Sequence, residues 1–501
     1  MTADSASAAT VPAAIPAAAT DRVRNLVGGE WVVPAGVATV PTADPATGAE
    51  LAEVPLSGAA DVGAAVAAAG AAQPVWAATS PLDRARALMA LREALVAERE
   101  ALARLVTLDM GKTLADARAE VGRGIESVEA ATAIPHLLKG EALTGVARGV
   151  DVELLRQPVG VVAAISPFNF PAMIPLWFLP FAIGCGNAIV LKPSEQDPLA
   201  AVRIAEIANA VEAIPAGVVN LVNGGRDAVN ALLDHPGVDA VSFVGSAATA
   251  RHVASRAVAT GKRFQALGGA KNSLVVMPDA EPAAMVEGVL GSAFGAAGQR
   301  CLAGSVAVLV GQPAEQDGAL EALVAGARAL TVGAGADPAT DVCPLIGPAS
   351  RERVEAEIDA AVAAGARLVL DGRRGGGRGG AELGPTVLDG GPPEGRALRE
   401  ELFGPVLSVL RAPDLNAAIE WANASRYGNA AVIFTADGGA ARAFRTRIAA
   451  GMVGVNVGVA APVAWFPFSG WNDSIDGDLH ANGRDAVEFY TRKKVVTTRW
   501  P

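Results

Sequence analysis

Between residues 159 and 259, short apolar runs alternate with helical stretches, and this alternation constrains the fold more than any other feature of the chain. Residues 159–165, 188–191, 218–222 and 240–244 are rich in Val, Ile and Ala and are bounded by Gly, Pro, Ser or Asn. Runs of that length and composition predict strands buried on both faces. A helical stretch separates the first two, and residues 199–213, 228–233 and 247–259 have helical periodicity. Strands alternating with helices imply βαβ units and a parallel sheet, with ligands bound beyond the carboxyl ends of the strands. Ser166, Lys192 and Gly245 fall at such ends. A second alternating block begins near Asn272, with strands at 273–277, 306–310, 368–370 and 406–410 and a long helix from Ala283, so a domain boundary is placed near Gly268-Gly269. Upstream, residues 59–78, 81–108 and 114–138 read as three successive helices.

Composition removes several function classes. The chain has 501 residues, 51% hydrophobic and 19% charged, as a soluble globular protein with more than one core would. Asp and Glu outnumber Lys and Arg by 52 to 41, a net charge of -11 that argues against nucleic acid or an anionic membrane as partner. Cys185, Cys301 and Cys343 form an odd, sparse set, expected to be reduced thiols in a cytoplasmic compartment. Residues 1–20 have neither the basic start and apolar core of a secretory signal nor the arginines of a transit peptide, and read as a disordered tail. Residues 176–186 are apolar but interrupted by Pro180 and too short to span a bilayer. The Gly/Arg-rich piece 373–380 reads as a flexible surface loop.

Three local patterns carry chemistry. Gly298-Gln299-Arg300-Cys301, about thirty residues after Ala266-Leu267-Gly268-Gly269, marks a candidate nucleophile. The thiolate is the reactive form, and Arg300 beside it is expected to favour that form. A Gly-x-Gly-x-x-Gly fingerprint is absent; Gly245-Ser246 instead sits between a strand and a helix, where helix-start N–H groups and the Ser246 hydroxyl can receive a pyrophosphate. Lys192 and Glu195 follow a strand end, where a carboxylate can accept from ribose hydroxyls and repel a 2′-phosphate, favouring NAD over NADP. Read alone, each has a plainer meaning: a buried apolar cysteine, a helix cap, a surface ion pair. His480 reads as structural, and no Cys/His pair has metal-ligand spacing, so no metal is expected.

The blocks Pro167-Phe168-Asn169-Phe170-Pro171, Lys192-Pro193-Ser194-Glu195, Phe243-Val244-Gly245-Ser246, Gly298-Gln299-Arg300-Cys301 and Glu401-Leu402-Phe403-Gly404-Pro405 occur in that order. They resemble the signature blocks of the aldehyde dehydrogenase superfamily. Gly122-Arg123-Gly124-Ile125-Glu126, Gly269-Ala270-Lys271-Asn272 and the C-terminal block 466–500 are similar to its CoA-acylating methylmalonate-semialdehyde dehydrogenase branch. The resemblance implies an α/β fold: a Rossmann-like NAD-binding domain (21–143 and 161–267), an α/β catalytic domain (268–463) and a small antiparallel oligomerisation extension (144–160 and 484–501). The hairpin near 146–158 would pair with 485–501 and bridge subunits of a homodimer or homotetramer. The β-branched residues 495–498 suit an edge strand seeking a partner.

The same resemblance implies roles. Cys301 attacks the aldehyde, and the Asn169 amide and the Cys301 backbone N–H hold the oxyanion, each such donor being worth about 3 kcal/mol. Glu401 binds the nicotinamide ribose with Phe403 beside it, and Ser166, Phe168, Lys192, Glu195, Ser246 and Gly268 line the rest of the NAD site. Arg123 and Arg300 hold the substrate carboxylate, a task that suits a planar guanidinium. Hydrolytic members carry a glutamate just ahead of their Gly-Gly-Lys-Asn run. Here that position is Leu267, or Ala266 with a one-residue slip, and neither accepts a proton. Loss of such a base typically costs about 10²- to 10⁴-fold in rate, so the thioester is expected to survive until CoA arrives. A bound 3-oxo acyl group can lose CO2 first, giving an enolate that the same oxyanion donors stabilise. Gln196, Leu267 and Ser273 depart from the branch pattern, with consequences expected for cofactor affinity and deacylation.

The expected activity is therefore NAD-dependent, CoA-acylating oxidation of malonate or methylmalonate semialdehyde. A hydrolysing aldehyde dehydrogenase that recruits another base is the alternative. A catalytically silent relative is the third reading, opposed by Cys301, Asn169 and Glu401 together.

Overall fold

The computed structural model describes residues 22–373 and 380–500. The expected tail at 1–20 lies outside them, as does most of the Gly/Arg-rich piece.

The alternating region folds as expected. Val161–Ile165, Ala188–Lys192 and Ala240–Val244 are buried along their whole length, as strands covered on both faces must be. They form the centre of an eight-stranded sheet ordered Glu30–Val32, Asn25–Val27, Val219–Leu221, Ala188–Lys192, Val161–Ile165, Ala240–Val244, Arg263–Leu267, Ile475–Asp476. The inner strands run parallel, and strand order reverses between Val161–Ile165 and Ala240–Val244. That reversal opens a crevice at the carboxyl ends. The apolar stretch after Ser166 becomes the helix Met173–Gly184, all of whose residues are buried. Among the described residues no helix is long and apolar enough to cross a membrane.

Between Leu267 and Asn272 the chain passes into a second, seven-stranded sheet. Its order is Arg367–Leu370, Thr386–Asp389, Val406–Ala412, Gly304–Val310, Asn272–Val276, Ala430–Phe434, Met452–Val455, parallel except for the first strand. A third sheet pairs Ala142–Ala147 with Val150–Pro158, and Val150–Pro158 with Thr491–Arg499 in continuous antiparallel register from Thr491↔Pro158 to Arg499↔Val150. The overall class is thus α/β, with two parallel-rich sheets and small antiparallel ones.

Two helices expected as single elements are divided. Residues 81–108 form Pro81–Ala97 and Arg99–Met110, separated at Glu98. The apolar stripe runs on through Leu95, Leu102 and Val106, all fully buried, so periodicity cannot reveal a one-residue break. Residues 114–138 form Leu114–Ala131 and the single turn Ile134–Leu137, since Pro135 has no N–H to continue the first helix. Local starts follow sequence: Ser80 and Thr113 cap the N–H groups of Asp83 and Asp116 at 3.1 Å each.

Candidate active site

The loop that presents Cys301 is held in a conformation its sequence would not adopt alone. After the helix Pro282–Phe294, Ala296 (φ 50°), Ala297 (φ 53°) and Gly298 (φ 70°) all lie in the left-handed region, which costs an L-residue about 1–2 kcal/mol. Gly298 is needed twice over: a Cβ there would also run into the Gly404 carbonyl. Gln299, fully buried, anchors the loop by accepting the Ile346 N–H at 2.9 Å. The Cys301 carbonyl receives the side-chain amides of Asn272 at 2.9 Å and Asn429 at 2.8 Å. These asparagines stand at the starts of the adjacent parallel strands Asn272–Val276 and Ala430–Phe434. The second sheet therefore fixes the nucleophile's backbone.

Cys301 is partly exposed, whereas Cys185 and Cys343 are buried. Burial, and then the nearby Glu401 carboxyl, push the Cys301 thiol up to about 12. The backbone N–H groups of Cys301 and Leu302 pull it down, and Arg300 does so least of the named groups. Arg300 thus favours the thiolate in the expected direction, but less than burial and Glu401 oppose it. Its guanidinium turns to Asp116 at 2.7 Å and toward the Gly291 carbonyl at 3.4 Å, so its charge is spent on a carboxylate before it reaches the sulfur.

Asn169 donates one amide N–H to the Gln299 carbonyl at 2.8 Å, leaving its second amide hydrogen available. Phe168 and Phe403 meet edge to face with centroids 5.7 Å apart, bringing two distant blocks together. Phe403 itself has φ 53°. Glu401 accepts the Ala270 N–H at 3.1 Å. Burial pushes its carboxyl up to about 7, against that hydrogen bond and the cations Lys271 and Arg353. Lys271 is buried, its Nζ without a hydrogen-bond partner, and burial pushes it down to about 8.

Ser166 directly follows the central strand and Lys192 ends the next, where the Lys192 Nζ is held by the Gly224 carbonyl and by Glu195 at 3.3 Å. Lys192 is buried while the Glu195 side chain is 39% exposed, so this is no surface ion pair; burial lowers the lysine pKa. Ser246 caps the helix Ala247–Ala259. A Cβ on Gly268 would stand 3.0 Å from the Asp473 carbonyl and 3.3 Å from Ala247 Cα, so glycine lets the crossover between the sheets lie against that helix start. A buried lysine paired with a half-exposed carboxylate beyond one strand end and a serine-capped helix start beyond another are a donor set that fits a dinucleotide.

Leu267 is the last residue of Arg263–Leu267 and is buried. It shares one apolar cluster with Leu302, against which Cys301 packs, while Ala266 belongs to the cluster on the other side of the sheet. Strand alternation separates them in this way. The side chain on the cysteine's side is thus aliphatic.

Arg123 and Arg300 both engage the helix Leu114–Ala131. Arg123, on that helix, is 34% exposed, pairs with Glu126 at 2.7 Å and donates to the Pro462 carbonyl. Glu126 in turn accepts the Ala464 N–H at 2.8 Å. Asp116, Glu120 and Arg123 follow i, i+4, i+7 spacing and so form one stripe. That spacing is the signal by which Asp116 and Glu120 could have been found. His480 bonds Asp485 at 2.9 Å and the Gly470 carbonyl at 3.2 Å, a packing role. Sequence reasoning gave no role to Gln299, Asn272, Asn429, Lys112 or Glu120.

Comparison with known proteins places this geometry. Residues 31–496 match the model of the aldehyde dehydrogenase family. Malonate-semialdehyde dehydrogenase 2 of Shouchella clausii is 48% identical over 479 residues, covering 95% of this chain and 98% of that protein. Malonate-semialdehyde dehydrogenase 1 of Geobacillus thermodenitrificans is 47% identical over 480 residues, covering 95% and 99%. Among solved structures, methylmalonate-semialdehyde dehydrogenase from Oceanimonas doudoroffii superposes with TM-score 0.94 at 44% identity, covering 96% of this chain and 99% of its own. A Sinorhizobium meliloti protein complexed with NAD gives TM-score 0.94 at 42% identity, covering 96% and 98%.

Proposed function

The chain belongs to the aldehyde dehydrogenase family, and from that premise we propose that it is a CoA-acylating semialdehyde dehydrogenase. It oxidises malonate or methylmalonate semialdehyde with NAD and forms acetyl-CoA or propionyl-CoA with loss of CO2, in valine or inositol breakdown in the cytoplasm. One observation carries the acylating half of this reading. On the face of the sheet toward Cys301, the strand that would supply a water-activating carboxylate ends in buried Leu267.

The residues act in sequence. The Cys301 thiol gives up its proton to solvent, its sulfur attacks the carbonyl carbon, and the C=O electron pair moves to oxygen. The free Asn169 amide hydrogen and the Cys301 N–H receive that oxyanion. Arg123 and Arg300 orient the substrate carboxylate, which competes with Asp116 for Arg300. NAD, when bound, supplies the hydride acceptor; Ser166, Phe168, Lys192, Glu195, Ser246, Gly268, Glu401 and Phe403 are the residues that would hold it. Oxidation leaves an acyl thioester on Cys301. Its β-carboxylate departs as CO2, the bonding pair forms an enolate on the thioester oxygen, which the same donors stabilise, and the α-carbon then takes a proton from solvent. The CoA thiolate then takes the acyl group, and Cys301 leaves as thiolate.

A hydrolytic alternative has one supporting observation: Glu401, pushed up to about 7, has a pKa suited to a general base. Its carboxyl is already engaged by Ala270. The assembly we propose is a homodimer or homotetramer, supported by exposed Leu143, Val146, Leu155, Val495 and Trp500 on the three-stranded sheet.

The test is NADH formation from malonate semialdehyde and NAD, with and without CoA, with products identified by mass. Acetyl-CoA and CO2, with little turnover lacking CoA, support the reading. Free acid formed equally well without CoA overturns it.

A further inference from the structure

We propose that the buried ion pair Lys112–Glu120 positions the oxyanion-binding amide of Asn169, an inference that rests on the role given to Asn169 above. Both side chains are 1% exposed. The Lys112 Nζ donates to Glu120 and to the Asn169 carbonyl at 2.8 Å, and it stands 4.2 Å over the Phe170 ring. The other Glu120 oxygen accepts the N–H groups of Ala172 at 2.8 Å and Met173 at 3.0 Å. The pair therefore holds three main-chain groups between Asn169 and Met173. The Asn169 side chain is tied separately, through Nδ2, to the Gln299 carbonyl. Backbone and amide are thus fixed from opposite sides, one by the helical region and one by the cysteine loop.

Lys112 is delivered by Gly111, which ends the preceding helix at φ 91°. It is kept there by Gly335, whose carbonyl accepts the Leu114 N–H at 3.0 Å. Desolvating two charges is costly, and well-packed apolar residues usually stabilise a core as well as a buried pair does. A pair whose hydrogen bonds go to the oxyanion loop is explained by geometry instead, since oxyanion donors act only when preset to within about half an ångström.

The test is a double-mutant cycle on the full chain: parent, Lys112→Met, Asn169→Ala and the double variant. Each is read by the single-turnover rate of hydride transfer with NAD and propionaldehyde. Lys112→Met is expected to slow that step about 10- to 100-fold in the parent, and less than about twofold in the Asn169→Ala background. NAD affinity and the rate of Cys301 alkylation stay at parental values. Equal slowing in both backgrounds overturns the proposal, because Lys112 would then be acting on stability or elsewhere in the site. An Asn169→Ala variant as fast as the parent instead overturns the reading of Asn169. Should Lys112→Met fail to fold, Glu120→Gln enters the same cycle. It retains an acceptor for Ala172 and Met173 and loses the charge facing Lys112, with about 3- to 10-fold slowing expected only when Asn169 is present.

Discussion

Replacing Asn272 by alanine removes three hydrogen bonds from a residue 4% exposed. Its amide donates to the carbonyls of Cys301 and Ala303 at 2.9 Å each, and its oxygen accepts the Ala430 N–H at 3.0 Å. The three losses are unequal. The Cys301 carbonyl keeps Asn429, so it forfeits one ordinary bond, about 1 kcal/mol. The Ala430 N–H, in a residue 7% exposed, is left without its acceptor, at about 1–3 kcal/mol. With the Ala303 carbonyl added, Asn272→Ala should destabilise the protein by about 4 kcal/mol. Asn429→Ala, which removes one bond to Cys301, should cost about 1 kcal/mol. Activity should follow, because the N–H proposed to receive the oxyanion belongs to the residue whose carbonyl has slackened. A tenfold fall in kcat corresponds to about 1.4 kcal/mol of lost transition-state stabilisation. Denaturant unfolding and NADH formation, measured on both variants, give the two readouts. An Asn272→Ala protein no less stable than Asn429→Ala, with parental kcat, would refute the argument.

Three further outcomes are expected. Alkylation of Cys301 in the free enzyme should keep accelerating above pH 9, since burial holds the thiol near 12; a plateau near pH 7 would contradict this. The KM for NAD should fall about tenfold as pH rises through 7 and Glu401 ionises into a charged ribose acceptor, and should be flat in Glu401→Gln. Because the native Glu401 pKa lies above its usual 4.5, the folded chain binds more protons between about 4.5 and 7, so this group makes the fold less stable as pH rises across that window. Gly298→Ala, at φ 70° and against the Gly404 carbonyl, should abolish NADH formation while leaving the far-UV circular dichroism spectrum near that of the parent; parental activity would show that the loop tolerates a side chain there.

Legibility of the chain in sequence followed how local each constraint was. Ala240–Val244 and Ala247–Ala259 were readable to the residue, because an all-apolar strand, a Gly-Ser cap and a helical period are written within one segment. Its neighbour Arg263–Leu267 was not. Gln265 and Arg263 make that strand look polar, and the groups that satisfy them are non-local: Arg263 donates to the carbonyls of Glu488, Phe489 and Thr491, and Gln265 donates to Ser242 on the neighbouring strand and reaches Tyr490. The site divides along the same line. Cys301, Asn169 and Glu401 sit in compact blocks that resemblance could find. Glu120 looks like an ordinary helical charge and Lys112 like a loop charge until tertiary packing buries them. Arg300 shows the limit of adjacency: next to Cys301 in sequence, it is held by Asp116 in space.

With aliphatic Leu267 where a water-activating carboxylate would stand, the Cys301 thioester should be long-lived without CoA, and its lifetime can be measured. Enzyme, NAD and malonate semialdehyde would be mixed without CoA, quenched in acid over time, and the Cys301 peptide weighed. One NADH per subunit is expected, with an acetyl adduct on Cys301 that persists over many turnover times, then discharges when CoA is added. An adduct that disappears without CoA at the steady-state turnover rate, releasing free acid, would contradict that expectation.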